Sequence, residues 1–325
     1  MIEVLAIPPL ATVQDLGRDG LWSQGLGRAG AMDSLAHSVA NLLLGNAPEA
    51  ATIEIPLTPA KFRFCADMAF AVAGASCGVR LDGRALPRVW AGNARAGQVL
   101  ELGTITEGAR VYLAMPHGID VPEVLGSRST QLREAFGGLE GRVLAPGDKL
   151  APAGTMERML PESGLSCALP PLRSQPDAAI TVRALASAEY ESFTESSREA
   201  FWTTSYTVTP QSNRQGYRLV GEPLDRTPGD ELRSHGIAPG IVQVPGGGQP
   251  IIQLADSATM GGYPKIAAII EPDLWRIAQA RPGDQLRFVE ASLDQAARAG
   301  DEQERWLTNL DAQLSRTIAQ QMSWS

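Results

Sequence analysis

The sequence lacks an excess of positive charge, long hydrophobic runs and the marks of a signal peptide. It has 325 residues and a net charge of −8, and no local run of Lys and Arg reverses this acidic balance. We therefore expect neither nucleic acid nor a membrane as a partner. No apolar stretch approaches the roughly 20 residues needed to span a bilayer. The N-terminus has prolines within its apolar part and no basic region before it, so we predict a cytoplasmic protein.

Cysteine and histidine are also scarce, which argues against disulfides and metal sites. The cysteines are odd in number, and neither they nor the histidines follow a metal-ligand spacing. We predict reduced thiols and no metal bound by this chain. The residues concerned are Cys65, Cys77, Cys167, His37, His117 and His235.

Two glycine patterns resemble functional motifs but lack the context that those motifs need. Residues 25–30 read GLGRAG, a dinucleotide-binding pattern, but no buried strand precedes them. Residues 74–78 read GASCG, the pattern of a nucleophile elbow, but the chain is expected to continue as a strand and not as a helix. The sequence also has no GxxxxGK[ST] phosphate loop. We therefore expect no cofactor to be bound by this chain alone.

Short apolar or alternating runs, separated by turn residues, predict a mainly β fold. This spacing is typical of sandwiches and barrels, not of alternating strands and helices. Three similar Gly-containing turns, at 95–100, 145–150 and 281–286, hint at two related β units. The predicted strands are Thr52–Leu57, Lys61–Phe64, Ala69–Ala73, Val79–Leu81, Val99–Leu102, Arg110–Met115, Arg142–Leu144, Ile180–Ala184, Ser205–Thr209, Gly240–Val244, Pro250–Leu254 and Gln285–Glu290.

Few helices are expected. The segment Ser34–Leu44 has an N-cap residue before it and Gly45 after it, the usual boundaries of a helix. Further helices are predicted near Ser129–Phe136 and around Pro272–Ala280.

The predicted organisation is two β domains joined by a linker. The N-terminal domain covers 1–152, a linker rich in Pro, Ser and Gly covers 153–177, and the C-terminal domain covers 178–290. An amphipathic helix over 291–325 is expected to pack on its own protein rather than on a partner. Its apolar line consists of Leu307, Leu310, Leu314, Ile318 and Met322.

The segment 243–268 is the strongest candidate for a functional site. It contains one Lys and one Asp, Lys265 and Asp256, among residues that are otherwise mostly glycine, proline, small or apolar. Burying charged groups is expensive in desolvation, so such residues in an apolar, glycine-rich segment point to a site. The alternative is a buried ion pair that holds a hairpin together.

Several motifs, in order along most of the chain, resemble the KipA and allophanate-hydrolase-subunit-2 family, also called biotin-dependent carboxyltransferase-like. Its bacterial members include the C subunit of ATP-dependent 5-oxoprolinase, and relatives form the carboxyltransferase portion of urea carboxylase. The matching stretches are 12–18 (TVQDLGR), 30–33 (GAMD), 40–46, 51–54 (ATIE), 118–122 (GIDVP), 125–130 (LGSRST), 136–138 (FGG), 206–208 (YTV), 212–219 (SNRQGYRL) and the segment from Asp256 to Lys265.

The resemblance implies two cyclophilin-like β-barrel domains and work in a complex. Family members act with a KipI-like B subunit and, for oxoproline, with a LamB/YcsF-type A subunit. The complex opens 5-oxo-L-proline to L-glutamate and uses ATP. The chain has neither a biotin-attachment Met-Lys-Met pattern nor a carboxylase domain, so biotin enters only under an alternative function.

We predict that Lys265 donates to a reacting carbonyl or carboxylate oxygen and that Asp256 orients it. Asn213 stands where the family commonly has Asp, which leaves a binding role there and puts an acid–base role in doubt. For Arg214, Tyr217 and Arg218, packing is the alternative to substrate contact. The predicted substrate-binding residues are Asn213, Arg214, Tyr217, Arg218, Arg128 and Tyr263.

Three functions remain open on the sequence alone. The first is a subunit of 5-oxoprolinase, a hydrolase acting on a cyclic amide, which is the favoured one. The second is a biotin-dependent carboxyltransferase acting on urea or a similar amide. The third is a regulator without chemistry that binds a KipI-like kinase inhibitor. Neighbouring genes would discriminate among them, since a LamB/YcsF-type neighbour favours the first and a biotin carboxylase the second.

Overall fold

The chain divides into two units built mainly from β-strands. The structure is a computed structural model that describes residues 1–156, 160–175, 177–229 and 232–322, with side chains described as far as residue 317. The first unit consists of Met1–Arg18, Ala29–Pro170 and Glu304–Ser325. The second consists of Asp19–Arg28 and Pro171–Gln303. Each unit is therefore assembled from segments that are not continuous in the sequence.

The first unit contains a ten-stranded sheet, one helix that follows the second strand, and the end of the C-terminal helix. The sheet runs in the order β10-β7-β5-β8-β4-β1-β9, while β6 pairs with β5, and β3 pairs with both β2 and β8. The elements are β1 Ile2–Ala6, β2 Thr12–Gln14, α1 Ser34–Leu44, β3 Thr52–Pro56, β4 Ala60–Phe64, β5 Met68–Leu81, β6 Arg84–Leu86, β7 Trp90–Ala94, β8 Val99–Ala114, β9 Lys149–Leu150 and β10 Leu165–Ser166.

Alternation along β5 places side chains in two different apolar clusters. Phe70 and Val72 belong to one cluster, and Ala71 and Ala73 belong to another that includes α1. Successive side chains of a strand point to opposite faces, so a strand buried on both faces serves two cores. The predicted helix over 34–44 is confirmed, and the Asp33 side chain caps it by accepting from the Ala36 N–H at 2.8 Å.

The second unit contains a closed barrel of seven strands. The order around the barrel is β11-β18-β15-β16-β13-β12-β19, and β14 pairs with β17 as a separate two-stranded ribbon. The mainly β fold with a closed barrel is thus confirmed. The elements are β11 Ile180–Ala186, α2 Glu195–Thr203, β12 Ser205–Val208, β13 Gly216–Val220, β14 His235–Gly236, β15 Ile241–Gln243, β16 Ile251–Gln253, β17 Met260–Gly261, β18 Lys265–Ile269, α3 Leu274–Ala278 and β19 Gln285–Glu290.

The predicted C-terminal helix is present as α4, Leu293–Met322. Leu310 and Leu314 are buried in the apolar cluster of α1, and Leu307 packs against it, so this part of the helix contributes to the first unit. Ile318 and Met322 of the predicted apolar line lie outside the described side chains. None of the helices in the described part of the chain combines the length and apolar character needed to cross a bilayer.

Three predictions about local structure differ from what is found. Residues 142–144, predicted as a strand, lie between β8 and β9 and belong to no strand. The segment Ser129–Phe136 is not a helix: Gln131 and Phe136 form an isolated antiparallel bridge, and Ala135 has a positive φ of 54°. Within the predicted linker 153–177, Leu165 and Ser166 form β10 and pair with β7, while the Asn93 side chain donates to the Leu160 carbonyl at 3.2 Å. Much of that segment therefore packs on the first unit. Residues 157–159 and 176 lie outside the described part of the chain.

Candidate active site

Lys265 begins β18 and is the one lysine that the sequence predicted to be functional. It is buried, with 5% of its surface exposed. A β-bulge in the pairing of β15 with β18 places Gln243 opposite Lys265. Burial lowers the pKa of the Lys265 amine below its ordinary value, while the nearby Glu189 carboxylate raises it by a smaller amount. The amine therefore lies in an environment that disfavours its charged form.

Glu189 is an ionisable neighbour of Lys265 and pairs with His235, and no sequence pattern indicated either residue as part of this site. One Glu189 oxygen, Oε2, accepts from the Lys265 backbone N–H at 3.2 Å, and the other, Oε1, lies 3.1 Å from His235 Nε2. His235 is on β14, and its Nδ1 lies 2.8 Å from the Arg233 carbonyl oxygen. We call Glu189, His235 and Lys265 the Glu189 cluster. Glu189 lies in the connection between β11 and α2, where no periodicity or motif indicated it.

Two amide side chains adjoin the cluster. Gln253 Nε2 donates to Gln243 Oε1 at 2.8 Å, and Gln243 Nε2 donates to the Tyr263 carbonyl at 3.3 Å. A Cβ at Gly261 would lie 2.8 Å from Gln243 Nε2, so a larger residue there would displace the Gln243 side chain. Tyr263 is 53% exposed, which leaves its ring accessible to a ligand.

Asp256 does not pair with Lys265, contrary to the prediction that it orients this lysine. Both of its carboxylate oxygens accept from Arg214, at 2.8 Å from Nε and 2.9 Å from Nη2. The two backbones are also linked, since the Asp256 N–H donates to the Arg214 carbonyl at 3.0 Å. This bidentate pair fixes the loop before β17 to the turn before β13. Asp256 therefore forms a buried ion pair, as the alternative interpretation of this segment predicted, but its partner is Arg214 and not Lys265.

The remaining predicted residues of the second unit differ in their exposure. Asn213 Oδ1 accepts from the Gln215 N–H at 2.8 Å, which closes the turn before β13. The Tyr217 side chain is buried, and its hydroxyl donates to the Ala280 carbonyl at 3.2 Å. These contacts favour a packing role for Tyr217 over contact with substrate. Arg218 has an exposed side chain on β13.

Arg128 lies in the first unit. Its backbone N–H donates to Asp15 at 2.5 Å, and its guanidinium donates to the Val121 carbonyl. Asp15 also accepts from the hydroxyls of Ser127 and Ser129 at 2.6 and 2.5 Å. The motif residues around 15 and 127–129 therefore build a loop of the first unit.

The two glycine patterns have structural explanations. Gly27 approaches the Ser257 carbonyl so closely that a Cβ would lie 3.0 Å from it, and Gly25 has a positive φ of 82°. Ser76 of the GASCG pattern lies inside β5, where the strand continues to Leu81, so the context of a nucleophile elbow is missing.

The histidines, cysteines and carboxylates do not form a metal site in the part of the chain that the structure describes. There, no group of His, Cys, Asp or Glu has a metal-binding arrangement. All three cysteines are free, and burial raises the pKa of Cys77 and of Cys167 to about 11. These two thiols are therefore protonated at neutral pH.

Comparison with known proteins agrees with this architecture. The chain is 43% identical over 311 residues to the C subunit of 5-oxoprolinase from Escherichia coli K12, covering 95% of this chain and 97% of that protein. It is 30% identical to urea amidolyase of Saccharomyces cerevisiae, covering 98% of this chain and 18% of that protein. The crystal structure of urea carboxylase from Kluyveromyces lactis matches with a TM-score of 0.86 at 29% identity, covering 95% of this chain and 29% of the other.

The relatives differ in size. The chain has nearly the full length of the bacterial protein, but it spans less than a third of each of the two longer proteins. A family model described as carboxyltransferase domain, subdomain A and B, matches residues 24–290. The resemblance that the motifs indicate is thus confirmed, and the chain belongs to the carboxyltransferase-domain family with subdomains A and B.

Proposed function

We propose that this chain is the C subunit of an ATP-dependent 5-oxoprolinase. It acts with a KipI-like B subunit and a LamB/YcsF-type A subunit to open 5-oxo-L-proline to L-glutamate. The observation that carries this proposal is the 43% identity to the C subunit from Escherichia coli over nearly the whole of both chains.

The site of the second unit suits the chemistry of such a substrate. 5-Oxo-L-proline carries a lactam carbonyl and a carboxylate, and opening the ring places negative charge on the carbonyl oxygen. A charged amine in a poorly solvated position stabilises such an oxygen more strongly than one in water does. Lys265 is the donor in this proposal, and Arg218 and Tyr263 are the exposed contacts. Asp256 acts indirectly: its ion pair with Arg214 holds the loop before β17 against the turn before β13.

The test is glutamate release from 5-oxo-L-proline and ATP by this chain reconstituted with its two partners. Release should require all three proteins and should fall by about 100-fold or more in Lys265→Met, which keeps the apolar stem but removes the donor. Lys61→Met is the matched control, since Lys61 lies in the first unit and pairs on the surface with Glu101. Equal release with and without this chain would refute the proposal.

The second candidate is carboxyl transfer to urea or a similar amide. The likeness to the yeast urea amidolyase over 98% of this chain favours it. It predicts that the chain binds free biotin and accepts carboxyl groups from a biotinylated carrier protein. Biotin binding measured by calorimetry, together with inactivity of the reconstituted complex, would move the assignment to this function.

A further inference from the structure

Four neighbouring strands of the barrel carry a row of side chains that ends at Lys265. Gln243 of β15 lies opposite Lys265 of β18 and also opposite Ile251 of β16. Ile251 in turn lies opposite Arg218 of β13. Residues opposite each other in a ladder share a face of the sheet. The next residue of β16, Ile252, is fully buried, so Ile251 and its row point away from the barrel interior.

Gln253 lies beside this row, at the boundary between its covered and its open part. It is on the same face of β16, because side chains two residues apart on a strand point the same way. At the covered end, Lys265 and Gln243 are 5% and 3% exposed, whereas Arg218 at the other end is exposed. Gln253 itself is half-buried. The residue opposite it on β13 is Gly216, which contributes no side chain beside the amide.

A chain of hydrogen bonds fixes the orientation of the Gln253 amide. The Tyr263 carbonyl can only accept a hydrogen bond, and Gln243 Nε2 donates to it at 3.3 Å. The other end of that amide, Gln243 Oε1, therefore faces Gln253 and accepts from its Nε2 at 2.8 Å. Exchanging oxygen and nitrogen in both amides would set two oxygens against each other at Tyr263. The chain thus uses one hydrogen of Gln253 Nε2 and does not use the oxygen Oε1.

We propose that Gln253 recognises the amide N–H of the substrate through Oε1 and is the residue that selects a cyclic amide. In a lactam the N–H and the carbonyl lie on the same edge of the ring, so Gln253 accepts from the N–H while Lys265 donates to the carbonyl oxygen. The exposed guanidinium of Arg218 suits the substrate carboxylate. The backbones of β16 and β18 are two strand spacings apart, about 10 Å, which a small ring and two side chains can span.

This assignment deepens the proposed function, and its role in turnover rests on that function, whereas selective binding of a cyclic amide does not. The probe is the cyclopentanone carboxylate in which a methylene group replaces the ring N–H of 5-oxo-L-proline. This ketone keeps the carbonyl and the carboxylate and lacks only the hydrogen that Gln253 would accept. The reconstituted complex, without ATP, should bind 5-oxo-L-proline at least about tenfold more tightly than the ketone.

Gln253→Met keeps an unbranched side chain and removes the acceptor. The dissociation constant of 5-oxo-L-proline should rise by about tenfold or more, and that of the ketone should stay the same. Calorimetry measures both constants, and unchanged ketone binding also shows that the variant is folded. In turnover with ATP, the same substitution should raise KM by about tenfold or more and change kcat much less. A residue that only supported the fold would weaken both ligands alike.

Two further variants frame the comparison. Arg218→Met should weaken both ligands by similar factors, because both carry the carboxylate. Gln285→Met is the matched control, since Gln285 is an exposed glutamine on β19 of the same barrel, outside the four strands of the row. It should leave both dissociation constants unchanged.

The outcomes separate the inference from the proposed function. Loss of the preference in Gln253→Met, together with no glutamate release by the parent complex, would support amide recognition and refute the proposed function. Equal binding of the two ligands by the parent, or equal weakening of both in Gln253→Met, would overturn the inference even if the complex is active. A parent complex that does not bind 5-oxo-L-proline at all would overturn both.

Discussion

At the scale of single residues, Lys265 is held where its charge is unfavourable. Burial lowers the pKa of its amine more than Glu189 raises it, so the folded-state pKa lies below the ordinary value of 10.5. Between these two pKa values the unfolded chain binds more protons than the folded one, and stability therefore rises with pH across that window. Below the window the full cost of the buried charge remains. A residue kept at such a cost is more readily explained by activity than by stability.

Lys265→Met should therefore raise the stability of the protein at neutral pH. The methionine keeps an unbranched apolar side chain and removes the buried charge. The gain should shrink as the pH rises towards 10.5, because the native lysine loses its proton in the folded state first. Urea unfolding curves at about pH 7 and about pH 10 test this sign. A variant less stable than the parent at neutral pH would contradict it.

Asp256→Asn should destabilise the protein by about 3 kcal/mol, because it leaves the buried Arg214 guanidinium without its bidentate carboxylate. Urea unfolding at neutral pH measures the change. Glu101→Gln provides the control, since it removes a surface ion pair with Lys61 and should cost less than about 1 kcal/mol. Equal effects of the two substitutions would mean that the Asp256 pair contributes no more than an exposed one.

At this scale the sequence indicated one part of the site and missed another. Lys265 and Asp256 stood out because few charged residues occur in their segment, and both are indeed buried. Their partners could not be deduced, because Arg214 is 42 residues from Asp256 and Glu189 is 76 residues from Lys265 along the chain. Pairing over such distances is fixed by the closure of the barrel, which no local pattern records.

At the scale of elements, Gly74 marks a close crossing between two long strands. It has a φ of 125°, and a Cβ there would lie 2.3 Å from the Arg110 carbonyl of β8. Gly74→Ala should therefore cost about 3 kcal/mol or more, or prevent folding. Gly78→Ala in the same strand has open space and should be tolerated. Thermal unfolding of both variants tests the difference, and similar unfolding temperatures would contradict it.

The elements were predictable where the apolar pattern was local. The strands from Lys61 to Phe64 and from Gln285 to Glu290 show the expected alternation, with buried residues at every second position over most of their length. The helix expected near Ser129–Phe136 does not form, because polar groups at its start hydrogen-bond to a distant segment. The Thr130 hydroxyl and N–H both donate to the Val13 carbonyl. Helix α2 was missed because only Ser197 and Phe201 of its nine residues are buried.

At the scale of the whole molecule, the C-terminal helix should matter more to one unit than to the other. Deleting residues 304–325 removes Leu310 and Leu314 from the apolar cluster of α1. The backbone amides of α1 should then exchange with solvent at least about tenfold faster, a loss of about 1.4 kcal/mol of local stability. Hydrogen exchange followed by mass spectrometry resolves this.

The barrel strands of the second unit serve as the internal control in that experiment. They contain none of the deleted residues, and their protection should be largely retained. A uniform loss of protection in both units would show that the two unfold together, and an unchanged α1 would show that the helix contributes little.

The arrangement of segments also bears on how the protein is made. The first unit begins at the N-terminus but needs residues from Glu304 onward, whereas the second unit ends at Gln303. During synthesis from the N-terminus, all residues of the second unit leave the ribosome before the last segment of the first. The unit that is started first is therefore completed after the second, and the part of the α1 cluster that Leu310 and Leu314 cover stays exposed until these residues are made.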